Sequence, residues 1–143
     1  MKSYSTRSPV SKRHSLQLWV GVSAMAAPVL HSMTDMMEWE SGGFSELQLW
    51  INLAAFIPMP FLLLGIYWVF RPPPSQLCFI GAGLYGAAFI YFLYSTIYAL
   101  VNRVPDYQTL WSELGIPYTV AGGLMILGGC LFAVEALRSS RLP

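Results

Sequence analysis

The chain has 143 residues, 55% of them hydrophobic and only 10% charged, and a formal net charge of +1. Soluble domains carry about 25% charged residues, so the composition excludes an ordinary soluble enzyme, and the near-neutral balance excludes a basic nucleic-acid-binding surface. Four windows contain no Asp, Glu, Lys or Arg: Ser15–Thr34, Leu47–Phe70, Pro72–Asn102 and Leu114–Val134. A hydrocarbon core of about 30 Å needs about 20 mostly apolar residues per helix, and lipid leaves helices as the economical way to satisfy the backbone. The expectation is an all-α integral membrane four-helix bundle over residues 15–138, with helices at about 15–35, 46–70, 76–102 and 114–137.

In chain order, Met1 to His14 is polar, rich in serine and basic residues, and expected to be disordered. Its cations suit anionic lipid headgroups. Helix 1 then runs from about Ser15 to Asp35, with an apolar pattern that reaches Met37. Lys12-Arg13 followed by an apolar stretch and Ala24-Met25-Ala26 also fits a secretory signal cleaved before Ala27. The apolar pattern continuing through Leu30, and Pro28 crowding the cleavage point, favour a retained helix. An acidic loop follows, broken at Ser41-Gly42-Gly43, with Ser45 placed to cap helix 2.

Helix 2, about Glu46 to Phe70, carries Pro58 and Pro60. Arg71-Pro72-Pro73-Pro74-Ser75 is a tight turn that makes helices 2 and 3 antiparallel neighbours. Helix 3 spans about Gln76 to Asn102. The loop from Arg103 to Glu113 holds the turn signal Val104-Pro105-Asp106-Tyr107. Helix 4 spans about Leu114 to Leu137 with Pro117 in its first turn, and residues 139–143 form a short tail.

The charges orient this arrangement. Lys2, Arg7, Lys12 and Arg13 precede the first window, Arg71 lies between the second and third, and Arg138 and Arg141 follow the fourth. The positive-inside rule puts both termini and the Arg71 turn in the cytoplasm of a multi-pass inner (plasma) membrane protein. Asp35, Glu38, Glu40, Glu46, Asp106 and Glu113 gather on the other side with a single basic residue, Arg103. The five tryptophans fall near the expected interfaces, as an aromatic belt requires.

Few motifs carry chemistry. Cys78 and Cys130 lack a CxxC setting and read as small packing residues. Gly81-Ala82-Gly83-Leu84-Tyr85-Gly86 matches GxGxxG, but within a spanning helix no phosphate is solvated. Close helix approach explains it better, and Gly122-Gly123 and Gly128-Gly129 invite the same reading, so helices 3 and 4 are expected to pack tightly. His31, Met33, Met36 and Met37 form a string whose donors suit Cu(I), yet nothing else in the chain completes such a site. G-x-S-x-G and H-E-x-x-H are absent, and no catalytic residue, metal or cofactor is assigned.

The polar residues inside the helices say more. His31 and Asp35 share a face of helix 1. Asn52 lies about two turns into helix 2, Tyr94 and Tyr98 occupy the outer half of helix 3, and Tyr118 opens helix 4. All share the outer-leaflet depth, and polar side chains within a membrane usually face the bundle interior and mark a functional path. They suggest an outer-leaflet ligand pocket lined by His31, Asp35, Asn52, Tyr94, Tyr98 and Tyr118. His31 is its pH-sensitive member, the tyrosines are flat walls each with a hydroxyl, and Pro28, Pro58 and Pro60 kink the helices around it.

At these residues the chain resembles the emopamil-binding (EXPERA) superfamily of four- and five-helix membrane proteins, which includes sterol isomerases and the sigma-2 receptor. The order of features is similar: Pro28 to Asp35 at the end of helix 1, Asn52 six residues before Pro58, Pro60-Phe61, then Thr109-Leu110-Trp111-Ser112-Glu113-Leu114 and Arg138 around helix 4. The resemblance implies a ligand chamber opening laterally to the membrane, with Asp35 and Asn52 facing it. The family places an acidic residue where Asn52 stands, and its first outer loop is longer.

The leading functional expectation is a small membrane protein binding a hydrophobic or amphipathic small molecule or lipid. An alternative is a non-catalytic accessory subunit that docks a homo-oligomer or a larger membrane complex through glycine faces. A third is a lipid- or sterol-modifying isomerase-like enzyme. Membrane lipids are the expected partners.

Overall fold

A computed structural model describes residues 9–69 and 75–138, with side chains from residue 15 onward. The expected basic tail up to Ser8, the Arg71–Pro74 turn and the tail after Arg138 lie outside the described residues. Among the described residues the fold is all-helical, and four helical segments are long and apolar enough to cross a membrane: Ser15–Ser41, Glu46–Val69, Gln76–Asn102 and Tyr107–Arg138.

Helix α1 runs Pro9–Ser41, so residues 9–14 are helical, where the composition suggested disorder. Proline tolerates the first helical position because its missing N–H has no intrahelical acceptor there anyway. The helix passes through Pro28 and beyond Asp35. It ends where Gly42 takes φ 71 and returns its N–H to the Glu38 carbonyl at 2.9 Å, a left-handed stop that glycine adopts without a Cβ penalty.

The second apolar window is one span in two pieces, α2 at Glu46–Phe56 and α3 at Met59–Val69. Pro58 and Pro60 supply no N–H and crowd the carbonyls four residues back. The last bond of α2 therefore runs from Ile57 N–H to Leu53 O at 3.1 Å, and the chain resumes with Phe61 N–H on Pro58 O at 3.2 Å.

Helix α4 spans Gln76–Asn102, capped by Ser75, whose Oγ accepts the Cys78 N–H. Helix α5, Tyr107–Arg138, starts well before the expected Leu114. Asp106 explains the early start: its Oδ1 accepts the Thr109 N–H at 2.7 Å and its carbonyl accepts Leu110 N–H at 3.0 Å. Near the expected helix start the backbone instead breaks inside α5, at Gly115 with φ 57 and ψ −137, two residues before Pro117.

Packing follows the small residues. A Cβ built on Gly81 would sit 2.8 Å from the Gly128 carbonyl oxygen, and one on Gly128 would sit 2.6 Å from the Gly81 oxygen. The α4–α5 pair is the most extensive in the fold, so the tight approach expected of these two helices is present. Gly86 meets the Pro60 carbonyl in the same way, at 2.6 Å, whereas Gly83 faces open space. Two of the three motif glycines thus serve helix contact. At the Ser75 end, Ser75 Oγ–H donates to Glu135 Oε2 at 2.7 Å, and Glu135 also pairs with Arg138 at 3.2 Å.

Helix α1 packs along α2 and α3, with Val20 against Gly65. Only 6% of its most apolar window is buried, against 44% for the second span. Three apolar clusters run from end to end: Leu49, Ala99, Val104 and Leu110; Ala55, Phe56 and Phe89; and Cys78, Ala82, Phe132 and Ala136.

Candidate functional site

The polar groups concentrate at the end of the molecule that carries the α1–α2 and α4–α5 connections. On α1, His31, Thr34, Asp35 and Glu38 recur at i, i+3, i+4 and i+7 and so share one helical face. Thr34 is buried and returns its hydroxyl to the His31 carbonyl at 2.7 Å. His31 Nδ1 lies 3.1 Å from Asn52 Oδ1, and its ring rests on Phe56 with centroids 5.2 Å apart. An amide oxygen only accepts, so Nδ1 is the donor in this bond.

Two turns further along α1, Glu38 Oε2 accepts from Gln48 Nε2 at 3.3 Å. Gln48 is 3% exposed and also completes a capping box with Ser45: Gln48 N–H donates to Ser45 Oγ at 3.2 Å, and Ser45 N–H donates to Gln48 Oε1 at 3.1 Å. His31–Asn52 and Glu38–Gln48 are therefore rungs of one antiparallel ladder between α1 and α2. Buried polar groups are costly unless partnered, and both rungs meet that demand.

The two connections are tied to each other. Phe44 N–H donates to Pro105 O at 2.6 Å, and a Cβ on Gly43 would lie 2.5 Å from the same oxygen, so only glycine fits. The Phe44 ring meets Tyr107 edge-on with centroids 5.0 Å apart. The Tyr107 hydroxyl lies within hydrogen-bonding reach of Tyr118, on the side of the molecule that carries Glu38 and Asp35. Asp106, between the connection and α5, is held below the ordinary carboxylate range, chiefly by the Thr109 backbone N–H.

Of the six residues expected to line a pocket, His31 and Asn52 are bonded to each other. Asp35 is exposed on the same face of α1. Tyr118 packs on Phe92 at 5.6 Å and on Tyr91 at 6.5 Å. Tyr94 is 52% exposed and links Tyr91 to Tyr98 in a row of rings, at 5.7 and 6.2 Å. Tyr98 is half-buried beside Leu49 and Ala99. The set thus forms a polar corner on α1 and α2 and a tyrosine row on α4, with Tyr118 at the head of the row and in reach of Tyr107.

Three cavities open elsewhere. One of about 430 Å³ lies between the connections, one of about 460 Å³ between α1 and α3 around Trp19, Pro58 and Trp68, and one of about 300 Å³ beside Pro117. None of the six expected residues lines these three.

Residue-by-residue reading missed Tyr107, Glu38 and Gln48 as members of the polar corner. The spacing Asp106-x-x-Thr109, a helix start, would have exposed Tyr107, and Glu38 is seven residues after His31. No group of three or more His, Cys, Asp or Glu able to hold a metal occurs among the described residues, and Met33 and Met36 are exposed. Cys78 is fully buried, as its packing role requires, but Cys130 is exposed. Gly81, Gly86 and Gly128 are consumed inside the molecule, which leaves Gly83, Gly122 and Gly123 with room for a neighbour.

Comparison with known protein families, with characterised proteins and with solved structures returns no match.

Proposed function

We propose that the chain is a multi-pass protein of the inner (plasma) membrane, both termini cytoplasmic, that binds a hydrophobic or amphipathic small molecule or lipid at the polar corner of its outer-leaflet half. The observation that carries this reading is the His31–Asn52 hydrogen bond beside Phe56. It commits Nδ1 to Asn52 and leaves the other imidazole nitrogen to meet a polar group of the ligand. Ionisable groups at membrane depth are rare and commonly functional. Asp35 adds a charge on the same face and Tyr118 a hydroxyl, while Tyr94 and Tyr98 stand in the separate row of rings along α4.

The resemblance to the emopamil-binding superfamily supports the same corner through Asp35 and Asn52. With an amide at position 52, that position offers the ligand a hydrogen bond, and the charge at the corner comes from Asp35. The test is mass spectrometry of the protein purified from membranes in mild detergent. Wild type is expected to carry an amphipathic molecule that His31→Ala and Asp35→Asn each deplete, while Glu135→Gln, at the opposite end, retains it. Equal retention by all four proteins would overturn the placement.

A second reading, a non-catalytic accessory subunit, is favoured by the low burial of α1 and by the open positions at Gly122 and Gly123. It predicts a stoichiometric protein partner in native mass spectra, lost on Gly123→Leu, in place of a bound small molecule.

A further inference from the structure

The cavity of about 430 Å³ between the two connections is separate from the polar corner and falls in the size range of ligand sites. Its shape follows from how α4 ends. Arg103 takes the left-handed conformation at φ 53, uncommon for a residue with a side chain. Val104 N–H then turns back to the Ala99 carbonyl at 3.0 Å. The reversed chain and Phe44 form the walls, locked by the Phe44–Pro105 hydrogen bond, and Leu49, Ala99 and Val104 supply buried apolar surface.

Two charged side chains line this cavity, Glu46 and Arg103. Among the described residues no ion pair links them. Arg103 is also the single basic residue in the stretches 35–46 and 103–113, which hold six acidic residues. A preorganised cavity with one cation, one anion and an apolar floor, at the depth of the lipid headgroups, complements a zwitterion attached to an apolar tail. The guanidinium fork matches a phosphate, and a carboxylate accepts from a primary ammonium.

We infer that this cavity binds a phospholipid whose zwitterionic headgroup ends in a primary ammonium, with Arg103 on the phosphate and Glu46 on the ammonium. The inference rests on the membrane location proposed above and is independent of the His31 corner.

The test uses the full chain in phosphatidylcholine nanodiscs doped with phosphatidylethanolamine or phosphatidylglycerol, with retained lipid read by native mass spectrometry. Wild type is expected to retain phosphatidylethanolamine in preference to both other lipids. Arg103→Asn removes the charge while favouring the left-handed turn; it should lower retention of either doped lipid about tenfold without lowering the melting temperature. Arg103→Lys should restore part of the retention. Glu46→Gln should keep phospholipid bound but erase the preference for the ethanolamine headgroup. Equal retention by wild type, Arg103→Asn and Glu46→Gln, or no headgroup preference in wild type, would overturn the site. Alkaline carbonate extraction of the cell membranes from which the protein is purified separates the two levels of failure: protein that stays in the pellet leaves the membrane location standing, and protein that is released removes both.

Discussion

Replacing Gly128 by alanine tests the packing that organises the whole molecule. The added Cβ would lie 2.6 Å from both the Gly81 carbonyl oxygen and the Tyr85 nitrogen, where ordinary contact begins at 3.4 Å. Both are backbone atoms and cannot rotate away, so α4 and α5 must separate by about 0.8 Å at the crossing. A radial gap of about 0.5–1 Å forfeits a quarter to a half of each dispersion well along the opened contact. Overpacking of this kind costs about 1–3 kcal/mol, partly offset by up to about 1 kcal/mol of helix propensity gained over glycine. Gly123→Ala is the matched control, because its Cβ would meet nothing within 4 Å. Unfolding of both variants in mixed micelles by titration with SDS should show Gly128→Ala destabilised and Gly123→Ala neutral or stabilised. If the two agree within about 0.5 kcal/mol, the close crossing of α4 and α5 is refuted.

Other outcomes follow from individual contacts. A double-mutant cycle of His31→Phe and Asn52→Leu, read by the same unfolding titration, should return a coupling of about 0.5–1.5 kcal/mol, and a coupling of zero would dismiss the bond. Gly115→Ala should cost about 1–3 kcal/mol, because φ 57 with ψ −137 is a conformation that essentially only glycine adopts; a neutral result would place the α5 break elsewhere. Asp106 has a folded-state pKa below its unfolded value. Its contribution is therefore present above the unfolded pKa and lost as pH falls through the folded one. Melting temperatures taken from pH 6 down to pH 2.5 should fall more steeply for wild type than for Asp106→Asn, and parallel curves would contradict the cap.

Much of the helix layout is written in where charge and proline stand. The gap from Pro72 to Asn102 brackets α4, and Ser75 announces its start. Pro58 and Pro60 mark the division of the second span, because missing donors interrupt any helix. The ends of α1 and α5 were less legible. Glu38 and Glu40 fall in the expected acidic loop, yet no breaker precedes Gly42 and the helix runs on to Ser41. Asp106 read as part of a turn, yet its carboxylate caps α5, and the break falls at Gly115, which carries no weight in a charge count.

For the candidate site, shared depth was enough to bring His31 and Asn52 together on paper, since both lie about two turns from the same end. Depth says nothing about azimuth, however. Tyr94 and Tyr98 lie at the expected height but in a row along α4, away from the His31–Asn52 contact. Glu38 and Gln48 pair because α1 continues past the point where hydropathy falls. The cavity at Arg103 depends on a single left-handed residue, which no periodicity reports.

The proposed topology has four crossings that leave both termini and the α3–α4 turn on one side. Single cysteines introduced by Ser11→Cys, Glu40→Cys, Gln76→Cys, Gln108→Cys and Ser139→Cys, in a chain with Cys78 and Cys130 replaced by alanine, can be probed on intact cells with a membrane-impermeant maleimide. Labelling at positions 40 and 108 alone, with 11, 76 and 139 reacting only after the membrane is opened, is the predicted result. Labelling of 76 from outside, or of 11 and 139 from opposite sides, would contradict the account.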